Sequence, residues 1–381
     1  MTPVPSAIEE WLHSCIRCGN CKYVFKEYSP SCPSGESFNF ETYFASGRLW
    51  IAHGIRNGEL DWDSSLIDPI FACTTCGACE VQCLAPHREN ILEVIEELRA
   101  LAVKELGPLP EHRKFAERIG ENHNPYGAPH HSRELAKAHN LPLSASVVYF
   151  IGCTSNYREE EIRDSTISLL KKAGVDFTIV DEYCCGSPLL RTGQLSLTSA
   201  LAEHNQKVIE ATGAQRVVTS CSGCYRTLAR DYSRMGIKLN AEIMHISQYI
   251  RELLRSGRLA AHSIPHRIQV TYHDPCHLGR HMNEYDAPRD VLQQLPITFT
   301  EISTEDGIRE NAWCCGAGGG CKSAYPDWSR ETARIRLNHA QRTGAGVLVS
   351  SCPFCKRVLS DAQENDSVEI LDLSELVDRL T

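Results

Sequence analysis

The spacing of hydrophobic positions divides the chain into three textures. Residues 1–87 hold eight cysteines with little helical periodicity around them, and SFNFETYFASGRLWIAHGIRNGEL (37–60) between the two cysteine groups reads as a helical connector closing on Gly58. ENILEVIEELRALAVKELG (89–107) places apolar residues at i, i+3 and i+4 and ends on Gly then Pro, which predicts an amphipathic helix. Pro, Gly, His and Asn crowd residues 108–146, predicting a linker with a short helix near 111–119 whose histidines lie on the surface. From residue 147 short apolar runs alternate with amphipathic segments, the pattern of parallel-sheet α/β units.

This last part is an internal duplication. AQRVVTSCSGCYRTL (214–228) aligns with AGVLVSSCPFCKRVL (345–359), EYCCGSP (182–188) with AWCCGAG (312–318), and MHISQYIREL (244–253) with LDLSELVDRL (371–380). VVYFIGC (147–153) and QVTYHDPC (269–276) are the opening strands. Cysteines follow the apolar runs, so ten of them arrive beyond the carboxyl ends of strands, where open α/β sheets bind ligands. The expected domains are 1–107, a linker 108–146, 147–262 and 263–381. The class is mixed α+β and α/β: a helical two-cluster domain, then two duplicated α/β domains with parallel sheets.

Composition adds one outlier. The 381 residues include 19 cysteines, with a net charge of −9. That balance argues against a nucleic-acid partner. MTPVPSAIEEW lacks the basic and apolar regions of a secretory signal, and no apolar run is long enough to insert in a membrane. The expectation is a cytoplasmic protein, associated with a membrane only through a partner. In a reducing compartment, clustered thiols bind metal rather than forming disulfides.

Cys15, Cys18 and Cys21 form C-x2-C-x2-C, with Cys32 before Pro33 further on; Cys73, Cys76 and Cys79 repeat the spacing, with Cys83 four residues later. Three thiolates on so short a turn suit one face of a 4Fe–4S cubane, and the fourth cysteine of each run normally ligates the other cluster. The expected sets are Cys15, Cys18, Cys21 and Cys83 for one cubane, and Cys73, Cys76, Cys79 and Cys32 for the second. Structural zinc also takes C-x2-C, but three close cysteines twice over fit cubanes better. Ten residues separate Cys21 from Cys32, and the insertion KYVFKEYSPS is expected to loop out.

Each duplicated unit carries five cysteines: Cys153, Cys184, Cys185, Cys221 and Cys224, then Cys276, Cys314, Cys315, Cys352 and Cys355. Five thiolates exceed one per iron of a cubane. Either one is spare, or the cluster is an opened form in which thiolates bridge irons. The glycine after each vicinal pair supplies the sharp turn that lets both face one site.

This doubled C…CCG…CxxC pattern behind a two-cluster region resembles the D-type subunit of heterodisulfide reductases, itself similar to a fusion of a ferredoxin-like C-type chain with a B-type chain. The resemblance covers nearly the whole chain. It implies up to two non-cubane 4Fe–4S clusters, one per Cys-Cys-Gly domain, lying face to face around a disulfide substrate that they reduce one electron at a time. Similar architectures occur in iron–sulfur subunits of glycolate, lactate and glycerol-3-phosphate dehydrogenases. A second reading is therefore a non-catalytic relay between a flavoprotein dehydrogenase and a quinone-linked membrane cytochrome, since fold does not fix function. No flavin, nicotinamide or haem motif is present, so partner subunits of a redox complex are expected. A zinc-stabilised scaffold is the reading from a different class.

Cys321 beside the GAGGG run reads as a buried bystander, and the run as tight backbone packing near a cluster rather than a phosphate cradle. His273 and His277 flank Cys276; one could deliver a proton to a leaving thiolate, against the plainer reading of hydrogen bonds at the strand end. Arg280 and His281 face either an anionic substrate or solvent, and Asn124-Pro125-Tyr126-Gly127 is a turn packing the linker on the cluster domains.

Overall fold

The computed structural model describes residues 6–263, 266–365 and 367–381. Its class is the mixed one expected: a helical N-terminal part, then two four-stranded parallel sheets. The connector forms a helix over Ala45–Arg56, and the amphipathic run forms Ile91–Leu106 with Gly107 at positive φ (81°) behind it. Ile91, Val94, Ile95, Leu98 and Ala102 bury one stripe of the second helix against Leu49 and Ala52 of the first. The linker is more ordered than its composition suggests, with helices at Pro110–Asn122 and Ser132–Ala138. Pro110 sits at the first turn, where its missing N–H costs nothing.

The first sheet holds β1 (Val147–Phe150), β2 (Phe177–Thr178), β3 (Arg216–Thr219) and β4 (Glu242–His245) in the order β2-β1-β3-β4. The second repeats it as β6-β5-β7-β8, from β5 (Gln269–His273), β6 (Thr298–Phe299), β7 (Val347–Ser350) and β8 (Glu369–Asp372). The central strands are buried on both faces, as all-parallel sheets require. The aligned motifs cap equivalent helices: the His245 side chain accepts from Ser247 N, and Asp372 from Ser374 N.

The two units share one core. Tyr149, Ile167 and Val218 of the first belong to the same buried cluster as Tyr272, Val349 and Leu371 of the second. The helix Glu160–Lys172 packs on Leu373–Leu380, and Ile246–Arg255 packs on Asp286–Gln294. First helix against last, and last against first, is a pseudo-twofold arrangement. It turns the carboxyl ends of β1, β3, β5 and β7 toward a common region. Among the described residues no helix is long and apolar enough to cross a membrane.

Arg99, fully buried on Ile91–Leu106, joins the three parts. Its guanidinium donates to Ile70 O (3.2 Å), Phe71 O (3.1 Å) and Cys73 O (2.7 Å) in the helical part. It also donates to Arg191 O (2.7 Å) in the first unit and Gly319 O (3.0 Å) in the second. Beside it Arg191 pairs with Glu96 and Asp231, and Arg226 with Glu96 at 3.5 Å. Arg99→Met removes the guanidinium donor from five buried carbonyls and should destabilise the chain by about 3 kcal/mol. Denaturant unfolding of the full chain checks this, and an unmoved midpoint would show that the guanidinium is not the joint.

Candidate functional site: four cysteine sets

The two C-x2-C-x2-C turns share one backbone. The residue before the second cysteine is left-handed in each (Arg17 φ 57°, Thr75 φ 50°), and so is the glycine after it (Gly19 φ 82°, Gly77 φ 78°). Two left-handed residues in three curl the chain around a centre, and the glycines adopt that conformation without a Cβ penalty. Cys15, Cys18, Cys21 and Cys83 line one small cavity; Cys32, Cys73, Cys76 and Cys79 line another. KYVFKEYSPS loops out, closed by a bridge between Tyr23 and Pro30. Cys32 caps the helix Pro33–Phe38, its sulfur accepting from Gly35 N at 3.4 Å.

Both cavities are lined by thiols with no carboxylate among the lining residues. Such a sulfur-dominated donor set, with His87 beside Cys83 in the first cavity, suits iron–sulfur clusters better than hard cations. Desolvation pushes the Cys32 thiol up to about 12, and desolvation likewise holds Cys79 well above the usual thiol range. Buried thiols of this kind ionise only against a cationic centre, and metal binding supplies one. The residues present fit the group.

In the first α/β unit, Cys153 follows β1, Cys221 follows β3, and Cys224 lies one turn into the helix Ser222–Arg226. Gly186 (φ 91°) turns the chain after Cys184-Cys185. Glu182 accepts from Ile151 N (2.8 Å) and Gly152 N (2.7 Å), fixing the loop that carries Cys153; burial raises its pKa to about 8. In the second unit, Cys276 follows β5 and Cys352 follows β7, with Gly316 (φ 87°) after Cys314-Cys315. Cys315 and Cys355 sulfurs stand 3.4 Å apart, and His273 offers a third ligand atom within 4.8 Å of both.

Nine of these ten cysteines line a single cavity of about 460 Å³ between the units. Cys221 and Cys352 interact across it, and Ser222 Oγ donates to Ser351 O at 2.7 Å beside them. The tenth, Cys314, turns the other way. Its sulfur donates to Thr74 Oγ1 (3.4 Å) and packs with Cys76 and Cys276. Cys314 thus links the Cys76 set to the cysteines of the cavity.

His277 lines the cavity, and burial followed by the Arg226 charge lowers its pKa to about 3. His273 stands behind Cys315 and Cys355, accepts from Arg336 Nε at 3.1 Å, and is lowered to about 3 by burial and then Arg336. Both rings are neutral, and only His277 reaches the cavity. Arg280 is partly buried and spends its guanidinium on backbone carbonyls: it donates to Cys76 O (2.8 Å) and Ala312 O (2.7 Å). His281 is buried against Arg226 at 2.8 Å. Of the linker histidines His112 is not a surface residue, whereas His123, His130, His131 and His139 are partly exposed. His112 is fully buried against Gly320 O (3.1 Å), and His123 stacks on Tyr183.

Cys321 is buried with its sulfur toward Phe71 O, outside every cysteine-lined cavity. A Cβ on Gly318 would lie 2.3 Å from Thr74 O, and one on Gly319 would lie 2.3 Å from Cys73 O. The glycine run therefore exists so that two backbones can touch beside the second four-cysteine cavity. Sequence reasoning missed the linker's share of the large cavity: Lys114, Arg118 and Tyr126 line it, and Tyr126 Oη is 2.9 Å from Thr154 Oγ1. The i, i+4 spacing of Lys114 and Arg118 was the available signal.

Comparison with known proteins agrees with this geometry. A profile described as a 4Fe-4S dicluster domain matches residues 11–85, and one described as a cysteine-rich (CCG) domain matches 147–229 and 270–360. The D-type subunit of dihydromethanophenazine:CoB–CoM heterodisulfide reductase from Methanosarcina acetivorans is 35% identical, covering 96% of this chain and 93% of that protein. The B-type subunit of fumarate reductase (CoM/CoB) from Methanothermobacter marburgensis is 30% identical over 96% of this chain and 72% of its own length. The EtfAB:quinone oxidoreductase of Syntrophomonas wolfei is 27% identical over 96% of this chain and 58% of its own. A crystal structure of a hypothetical protein from Helicobacter pylori shares the fold, with a TM-score of 0.64 at 10% identity over 99% of this chain and 73% of that one. The cysteine-lined cavities, the two cysteine-rich units and the near-complete alignment place this iron–sulfur oxidoreductase chain in the family of heterodisulfide reductase D-type subunits.

Proposed function

We propose that this chain is a catalytic subunit for disulfide–thiol redox chemistry of the heterodisulfide reductase type, performed in the cavity between its two cysteine-rich units. Cys15, Cys18, Cys21 and Cys83 would hold one 4Fe–4S cubane, and Cys32, Cys73, Cys76 and Cys79 a second. Cys153, Cys184, Cys185, Cys221 and Cys224 would hold a non-cubane 4Fe–4S cluster, and Cys276, Cys314, Cys315, Cys352 and Cys355 another. When bound, these groups supply one-electron transfer and, in the cavity, an iron site for sulfur.

The observation that carries the reading is that nine cysteines of the two five-cysteine sets line one cavity of about 460 Å³, within the range of small-molecule sites. A pure relay needs neither the void nor its polar lining of Lys114, Arg118 and Arg357. The chain's own contribution is positional. Strand ends deliver Cys153, Cys221, Cys276 and Cys352 to the cavity. Tyr126 and Phe354 supply apolar wall, and neutral His277 offers a hydrogen-bonding ring at a thiol-lined surface. The relay reading draws on the relative named EtfAB:quinone oxidoreductase.

Protein purified anaerobically should contain about sixteen irons, four for each cysteine set. Added substrate-type thiol should change its electron paramagnetic resonance spectrum; a full iron complement with no response to thiol identifies the relay. Cys352→Ser should cost about four irons and abolish disulfide reduction, whereas Cys321→Ala should leave the iron content unchanged. Iron loss in the second variant would put Cys321 among the ligands.

A further inference from the structure

The two C-x2-C-x2-C turns have the same backbone but opposite surroundings. Ile16 corresponds to Thr74, Cys18 to Cys76, and Leu84 after Cys83 to Pro33 after Cys32. The second turn is covered by the second cysteine-rich unit. Gly318 lies against Thr74, Arg280 Nε donates to Cys76 O at 2.8 Å, and Cys314 packs on Cys76. Thr74 is accordingly 2% exposed, and Cys76 and Pro33 are buried.

At the first turn every counterpart is bare. Ile16 is 77% exposed, Leu84 64%, and Cys18 is exposed. The looped-out insertion extends the same face, because Phe25 N donates to Gln82 Oε1 (2.8 Å) and its ring is half exposed. Exposed apolar side chains gathered at such a turn point to an interaction surface. Its charge differs from the rest of the chain. Within 15–28 and 84–89 stand Arg17, Lys22, Lys26 and Arg88 against Glu27 and Glu89; Lys22 pairs with Glu41 and Arg88 with Glu89, which leaves Arg17 and Lys26 as the cations with no ion-pair partner among the described residues, in a protein of net charge −9. Arg17 lies over the Trp50 ring (3.6 Å) and Lys26 over Phe25 (5.6 Å), so both cations rest on aromatic faces.

We propose that the Ile16–Cys18–Leu84 face docks a soluble one-electron carrier protein with an acidic rim around its cofactor, seated as the second cysteine-rich unit is seated on the twin turn. The proposal rests on the reading that Cys15, Cys18, Cys21 and Cys83 hold a cluster. In the transfer the carrier loses one electron and this chain gains one; no bond forms or breaks and no proton moves. The interface is small and transient, and the basic rim steers encounter.

The experiment uses the full-length, iron-loaded protein in stopped flow. It is reduced either by an acidic two-cluster bacterial ferredoxin, itself pre-reduced, or by dithionite. The wild-type rate with ferredoxin should fall about tenfold between low and high salt, and Lys26→Glu/Leu84→Glu should lower it about tenfold at low salt. The dithionite rate, iron content and paramagnetic spectrum of that variant should match wild type. If Leu84→Glu sheds iron, Lys26→Glu alone decides by the same rates. An unchanged ferredoxin rate in the variant overturns the proposal. So does a wild type that dithionite reduces and ferredoxin does not, the result expected of a membrane-bound donor. Wild-type protein that binds no iron would sink the cluster reading instead.

Discussion

Everything in this molecule is registered to the guanidinium of Arg99. Buried without a carboxylate of its own, it spends its donors on carbonyls from three stretches of chain that are otherwise far apart in sequence. A lysine could not do this, since three donors on one atom cannot reach five carbonyls spread in a plane. One of those carbonyls belongs to Cys73, so a cysteine of the second four-cysteine cavity is fixed against Gly319 and Arg191 of the two α/β units. The glycine run is the other half of the joint, because any side chain at Gly318 or Gly319 would hold the second unit off the Cys73–Thr74 backbone.

Duplication explains both the symmetry and its single break. Two units that share a core across a pseudo-twofold axis present their strand ends to the same space, so one cavity receives cysteines from both. Only one unit also touches the helical part through its thiols. Cys314 is therefore turned toward Thr74 and Cys76, while its counterpart Cys184 lines the cavity. The symmetric fold thereby acquires a near side and a far side relative to the four-cysteine sets.

The fold class was legible because its signals are local. Apolar period at 89–107, the Gly–Pro stop, and apolar runs ending in cysteine translate directly into the helix Ile91–Leu106 and strands β1, β3 and β7. What misled was composition standing in for environment. The residues of 108–146 look like a solvated linker, yet Pro110–Asn122 buries Phe115, Ile119 and His112 and lends Lys114 and Arg118 to the cavity. Arg280 and His281 carry charge and polarity in a motif beside Cys276, but Arg280 closes the interface with the helical part and His281 is buried against Arg226 of the first unit. In each case a long-range partner outweighed the residue's ordinary preference for water.

By itself the sequence determined the donor chemistry: how many thiols, in what spacing, on turns that only particular backbone shapes permit. It did so because ligand spacing and strand or helix period are properties of neighbouring residues. The tertiary structure alone decided which sets come into contact, that nine thiols surround one void while Cys314 leaves it, and that one of two like turns is covered and the other bare. Those outcomes depend on how two units pack on a helix and on each other, which no short stretch of chain encodes.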